Sequence, residues 1–170
     1  MGTLDAWLVT DEHSELVPAL RRLAGAKRLR PVMAGYVDGD LQIQSLPVTH
    51  TTHPTCGFRI ATAAGVAVWA PEFWTFPEWA AAADLMFAEA AGWDRPIRFR
   101  GGVGGHMCVR DVAAAAVAHG VRRLVYAHIG RPSIRAIDAG RTPHFGEWGR
   151  EGHTYVLPDR DESPQAADRG

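Results

Sequence analysis

The chain has 170 residues, of which 46% are hydrophobic and 22% charged, and its formal net charge is −1 at pH 7. These values are ordinary for a soluble globular protein, and the near-neutral charge excludes broad electrostatic attraction to nucleic acid or anionic lipid. No apolar run of about 18 residues and no basic-then-apolar N-terminus is present, so we expect neither a membrane span nor a signal peptide. Cys56 and Cys108 form no CxxC pair, which favours a reducing cytoplasm over a disulfide framework.

The predicted elements alternate between strands and helices along the chain. Apolar runs predict strands at about 4–10, 31–34, 41–48, 57–62, 66–70, 85–88, 122–127 and 153–157. Amphipathic runs predict helices at about 15–24, 77–84, 109–119 and 132–138. The 109–119 helix stops at Gly120 and a strand follows, which is typical of an α/β protein. We expect one domain over residues 1–158 and a charged, disordered tail over 159–170.

A segment rich in acidic residues and histidine, Thr10-Asp11-Glu12-His13-Ser14-Glu15-Leu16, lies between the first predicted strand and the first predicted helix. Alternate side chains of an extended turn point the same way, so Asp11, His13 and Glu15 can converge as metal ligands. The alternative is a solvated loop in which Ser14 caps the helix and Glu15 suits its positive end.

Further potential ligands stand where predicted strands end. His50 and His128 each follow an apolar strand, and Glu72 follows the strand before it by only two residues. Functional groups collect at such positions because loops leave a rigid sheet there. One such residue alone is more often a capped or solvated polar group, but several together predict a shared site.

His106 closes the glycine-rich loop 101–105, just before the 109–119 helix. Backbone N–H groups beside a helix N-terminus suit an oxyanion or a phosphate, and the alternative is a flexible turn. Met107 occupies the last position of a GxGxxG pattern and no Walker A lysine follows. A dinucleotide site or a P-loop is therefore disfavoured.

As a set, these segments resemble the metallo-β-lactamase fold, in particular the branch that contains ribonuclease Z and a cyclic-phosphate phosphodiesterase. The segment from Thr10 stands where the family has T-H-x-H-x-D-H, and His50 precedes Gly57-Phe58-Arg59-Ile60 like the family's third-motif histidine. Ala70-Pro71-Glu72 stands at the bridging aspartate. Three later segments resemble the family's following elements: Ala83-Asp84-Leu85-Met86, Gly105-His106-Met107 and Leu124-Val125-Tyr126-Ala127-His128-Ile129.

The resemblance covers about residues 5–157 and implies an αββα sandwich that is truncated at its N-terminal side, because few residues precede the first motif. Missing leading strands would leave an open sheet edge and an uncovered apolar face. We therefore expect a homodimer, or a companion chain, to complete the sheet.

In this family, histidines and aspartates hold two metal ions, and a metal-bound hydroxide attacks the substrate. The resemblance implies six ligands for one or two divalent ions: Asp11, His13, Glu15, His50, Glu72 and His128. It also implies catalytic roles for Glu15 and for His106, the latter as a general acid or as a group that holds a phosphate oxygen. Leu16 replaces a family histidine, and the additional carboxylates favour manganese or iron relative to zinc.

Two functions compete at this stage. The first is a metal-dependent hydrolase that acts on a small phosphodiester or another small ester. The second is a degenerate, noncatalytic member that serves as a binding or assembly subunit. A nucleic-acid substrate is disfavoured because the sequence has no basic stripe with interleaved aromatic residues. A metal with an open coordination position would favour the hydrolase, and a ligand-poor cleft would favour the noncatalytic subunit.

Overall fold

A computed structural model describes residues 4–13, 17–25, 30–102 and 104–157. Glu15, Leu16 and the predicted tail lie outside these ranges. The helices and strands are α1 (Val17–Gly25), β1 (Tyr36–Asp38), β2 (Leu41–Val48), β3 (Thr55–Thr62), β4 (Gly65–Ala70), a 3₁₀ helix (Glu78–Ala80), β5 (Leu85–Ala90), β6 (Ile97–Arg98), β7 (Gly105–His106), α2 (Val109–Ala118), β8 (Leu124–Ile129), α3 (Arg131–Asp138) and β9 (Glu147–Trp148).

Seven of the strands form one mixed sheet in the order β1-β2-β3-β4-β5-β8-β9. β1 to β4 pair as antiparallel neighbours, whereas β4, β5, β8 and β9 pair in parallel. β6 and β7 form a separate two-stranded ribbon. Parallel neighbours need crossover connections, and α2 provides the one between β5 and β8. The expected α/β fold is confirmed.

The core lies between α2 and one face of the sheet. Alternate residues of the central strands point to this face, among them Val68, Met86 and Tyr126. The buried side of α2 has apolar residues three or four positions apart, such as Val109 and Val112, so that one stripe of the helix meets the sheet. Complete burial of each such valine stabilises the fold by roughly 1.5–3 kcal/mol.

The opposite face of the sheet is also apolar but less well covered. We call it the apolar face and define it by Ile43, Phe58, Ile60, Trp69 and Phe87, which line a cavity of about 300 Å³. Trp69 remains 38% exposed there.

Among the described residues, none of the helices has the length and the apolar character of a membrane-spanning segment.

Several predicted elements differ from the structure. The predicted helix 77–84 is wrong: only the 3₁₀ turn Glu78–Ala80 forms there, because the chain then extends into β5 and Ala82 adopts a φ of 56°. The predicted strands 4–10 and 31–34 reduce to one bridge between Leu8 and Val32, and 153–157 forms no strand. The conformation of 77–84 depends on tertiary hydrogen bonds. Ala82 N–H donates to the His119 carbonyl, and an alanine-rich sequence does not reveal such a contact.

Candidate metal centre

Four strands bring polar residues to one edge of the sheet. β4, β5 and β8 are parallel, and β2 has the same direction because β3 is antiparallel to both β2 and β4. Their carboxyl ends therefore meet at the same edge. His50 follows β2, Glu72 follows β4, Glu89 lies near the end of β5, and His128 lies near the end of β8.

Glu89 is the fully buried centre of this cluster, with 0% exposure. Its Oε1 accepts hydrogen bonds from Ala91 N–H (2.8 Å) and His128 Nδ1 (3.2 Å), and its Oε2 accepts them from Phe73 N–H (3.1 Å) and His106 Nδ1 (2.7 Å). Burial disfavours the carboxylate, but the hydrogen bonds from His106 and His128 outweigh this and lower the pKa of Glu89. Glu89 is thus ionised, and each of its two carboxylate oxygens accepts two hydrogen bonds.

His128 connects Glu89 to Glu72. Its Nδ1 faces Glu89, and its Nε2 lies 3.2 Å from Oε1 of Glu72. The hydrogen bond to Glu89 raises the pKa of His128, although burial acts in the opposite direction. The residue has a φ of 48°, an uncommon conformation for a residue other than glycine. Backbone conformations of this kind are enriched at functional sites.

His50 is held by the ribbon of β6 and β7. Its Nδ1 lies 3.0 Å from the Gly105 carbonyl, and Gly105 N–H donates to the His50 carbonyl at 3.0 Å. A Cβ at Gly104 or Gly105 would overlap the carbonyl oxygen of His50 or Ile97, respectively. Glycine is therefore required here, because it allows the ribbon to approach the backbone closely.

All three histidines are fixed in the same way. The Nδ1 of each faces a carbonyl or carboxylate oxygen, which can only accept, so Nδ1 donates. The Nε2 atoms of His128 and His50 lie on the side of Glu72. The His106 ring lies 4.7 Å from that of His50 and 5.0 Å from that of His128, measured between centroids. The edge of Phe99 packs against His50 and His106. Acceptors at Nδ1 are the usual support of histidines that ligate metals through Nε2.

Two positions for a metal ion can be compared. Ligand atoms of Glu89, His106 and His128 lie within 4.8 Å of one another, so these three could hold an ion. The hydrogen bonds favour the Nε2 side instead, because Glu89 would have to release donors in order to bind a metal. There, Nε2 of His128 and of His50 lie 3.2 Å and 3.9 Å from the two oxygens of Glu72. Two imidazoles and a carboxylate suit zinc, manganese or iron.

The structure brings together four of the predicted site residues: His50, Glu72, His106 and His128. Asp11 and His13 instead contact His53, whose Nε2 lies 2.8 Å from Oδ2 of Asp11. Glu15 lies outside the described residues, so its assignment stays a prediction.

Sequence reasoning did not find Glu89 or His53. Glu89 is an ionisable residue inside an otherwise apolar strand, Leu85–Ala90, and burial of such a group requires partners. This one charged residue among apolar neighbours is the feature of the sequence from which Glu89 could have been predicted. His53 stands three residues after His50 and carries no comparable mark in the sequence.

No protein-family model and no curated protein significantly matches the sequence. Several solved structures are similar in fold. They include the metallo-β-lactamase fold protein YhfI from Bacillus subtilis (16% identity, TM-score 0.53), a diphosphatase from the PhnP family (13%, 0.57) and isothiocyanate hydrolase from Delia radicum gut bacteria (13%, 0.58).

The matches cover 80%, 88% and 91% of this chain, respectively. The chain spans 58% of the length of the first two structures and 78% of the third. At these identities the similarity concerns the fold alone. The chain has the metallo-β-lactamase fold.

Proposed function

We propose that this protein is a metal-dependent hydrolase that acts on a small phosphodiester or another small ester. The observation that carries the proposal is the common orientation of His50 and His128, whose Nδ1 atoms face acceptors of the protein while their Nε2 atoms face the carboxylate of Glu72. A metal ligand needs its tautomer fixed, and an acceptor at Nδ1 fixes it so that Nε2 can bind the ion.

His50, Glu72 and His128 would hold the ion, with Glu89 as the residue that orients His128. Manganese, iron or zinc fits this mixed nitrogen and oxygen donor set. When bound, a divalent ion supplies Lewis acidity and activates water for attack on an ester. The edge is accessible, since the side chains of Glu72 and His128 are 34% and 38% exposed.

His106 has a different role from the three ligands. Its Nδ1 donates to the buried carboxylate of Glu89 at 2.7 Å, and its side chain is 13% exposed. We assign to its Nε2 the transfer of a proton to the leaving group, with the contact between Nδ1 and Glu89 holding the ring in place. The same contact would also position the ring if Nε2 instead held a substrate oxygen.

The substrate class rests on similarity and on the dimensions of the site. A PhnP-family diphosphatase and an isothiocyanate hydrolase share the fold, and the names of both describe hydrolases. Phe99 closes one side of the histidine cluster, which favours a small substrate over a polymer.

Both cysteines are buried and free, which supports a cytoplasmic location.

The test is metal analysis of the purified protein together with hydrolysis of bis(p-nitrophenyl) phosphate and p-nitrophenyl acetate, with and without Mn²⁺. We expect metal-dependent hydrolysis that is lost, along with bound metal, in His128→Ala. His144→Ala, which changes an exposed histidine, is the control and should keep both properties. Equal metal content in His128→Ala and the parent would contradict the proposal.

A noncatalytic assembly subunit is the second candidate, and two observations favour it. Leu16 replaces a histidine that the family resemblance requires, and the apolar face leaves Trp69 partly exposed. Leu16→His separates the two candidates. If that variant hydrolyses a phosphodiester and the parent does not, the parent is a binding subunit.

A further inference from the structure

An arginine and a tryptophan beside the histidine cluster take no part in the candidate metal centre. The guanidinium carbon of Arg98 lies 5.1 Å from the centroid of the Trp74 ring, so that the charged group lies over the indole. Arg98 is exposed, whereas Trp74 is partly buried. We call these two residues, Trp74 and Arg98, the Arg–Trp pair.

Both members of the Arg–Trp pair belong to segments that also hold the candidate site. Trp74 N–H donates at 2.6 Å to the carbonyl of Thr49, the residue before His50. Arg98 lies in β6 opposite Gly105, whose carbonyl is 3.0 Å from Nδ1 of His50. The pair therefore borders the histidine cluster, and backbone contacts on both sides hold it there.

The charge of Arg98 is available to an anion. Arg122 and Arg123 each form an ion pair with a carboxylate, whereas no carboxylate among the described residues pairs with Arg98 or with the exposed Arg100. A guanidinium that stacks on an aromatic ring keeps its N–H donors at its edge, where they match the oxygens of a phosphate. Positive charge without a counter-charge beside an accessible site also attracts anions from solution.

We propose that the Arg–Trp pair binds the anionic group of the substrate and makes this protein selective for phosphodiesters over neutral esters. This inference rests on the proposed function, which leaves open a phosphodiester and another small ester. Arg98 supplies charge-assisted hydrogen bonds to phosphate oxygens, and Trp74 holds the guanidinium in place through a cation–π contact. A neutral ester presents no charge to Arg98 and gains nothing from it.

A purely structural role for the same contact makes a different prediction. If Arg98 only attaches β6 to the loop after β4, its replacement loosens the ribbon that holds His50, and the hydrolysis of every substrate falls together. If Arg98 binds the anion, KM rises for an anionic substrate and the hydrolysis of a neutral ester is unaffected. A comparison of the two substrates therefore separates the two roles.

The experiment compares steady-state hydrolysis of bis(p-nitrophenyl) phosphate, which is anionic, with that of p-nitrophenyl acetate, which is neutral, in the presence of Mn²⁺. The variants are Arg98→Ala, Arg98→Lys and the control Arg141→Ala, which removes an exposed arginine after α3. Circular dichroism checks that each variant keeps its fold. Ligand-observed NMR measures the binding of bis(p-nitrophenyl) phosphate to the metal-free proteins, a quantity that does not depend on turnover.

We expect Arg98→Ala to raise KM for bis(p-nitrophenyl) phosphate by roughly 10–100-fold, because hydrogen bonds to a charged group are lost, and to leave kcat and the hydrolysis of p-nitrophenyl acetate unchanged. Arg98→Lys keeps the charge without the planar fork, so its KM should lie between those of the parent and Arg98→Ala. Arg141→Ala should match the parent. An unchanged KM in Arg98→Ala, or an equal loss with both substrates, would overturn this inference while the proposed function stands.

The NMR measurement separates the two proposals if the parent hydrolyses neither ester. Binding of bis(p-nitrophenyl) phosphate that weakens in Arg98→Ala and persists in Arg141→Ala would then support the anion site and overturn the proposed function. No hydrolysis together with no difference in binding between the parent and Arg98→Ala would overturn both.

Discussion

Glu89→Gln is the most informative single substitution, because it keeps the shape of a fully buried side chain and changes only its hydrogen bonding. Each carboxylate oxygen accepts one backbone N–H and one imidazole N–H. The glutamine amide has one oxygen that accepts, while its NH₂ group can only donate. Whichever way the amide turns, one backbone donor and one imidazole donor lose their acceptor.

The expected cost follows from these two lost contacts. A buried donor without an acceptor costs about 1–3 kcal/mol, so we expect Glu89→Gln to lower the free energy of unfolding by about 2–6 kcal/mol. The affected imidazole can adapt by moving its proton from Nδ1 to Nε2 and accepting from the new NH₂ group. That tautomer blocks the nitrogen that faces Glu72 in His128, or the proton-transferring nitrogen in His106.

Denaturant unfolding of the metal-free protein measures the first effect, and calorimetric titration with Mn²⁺ measures the second. We expect the affinity to fall about 10–100-fold, the usual consequence of losing an outer-shell partner. Glu151→Gln, at an exposed position, is the control and should change neither quantity. Unchanged unfolding and unchanged affinity in Glu89→Gln would refute the role of Glu89 as the group that orients the histidines.

Three further outcomes are expected. His106→Ala should retain its metal content while turnover falls by about 10²–10⁴, as measured by steady-state kinetics beside elemental analysis; loss of metal would make His106 a ligand instead. Gly104→Ala should be destabilised by about 1–3 kcal/mol more than Gly101→Ala in thermal unfolding, because both have positive φ but only Gly104 approaches the His50 carbonyl. Trp69→Lys, on the apolar face, should shift a homodimer to monomer in sedimentation velocity; a parent that is monomeric at micromolar concentration would argue against that assembly.

The part of the site that could be predicted is the part determined by strand ends. His50, Glu72 and His128 were identified because an apolar run followed by a ligating residue indicates the edge of a sheet, and parallel strand ends meet whatever the loops do. The same reasoning predicted the central strands and α2, whose hydrophobic spacing is regular. It was wrong for 77–84, where Ala82 and Asp84 donate to the distant carbonyls of His119 and Val66.

Glu89 and His53 were missed because each acquires its role only from the partners around it. A buried carboxylate needs hydrogen-bond donors around it. The four donors to Glu89 come from segments scattered between residues 73 and 128. His53 reaches Asp11 because β3 begins beside the Thr10 carbonyl, a contact between distant parts of the chain. Where the motif has Asp11 in place of a histidine, an imidazole from the neighbouring loop lies 2.8 Å from that carboxylate.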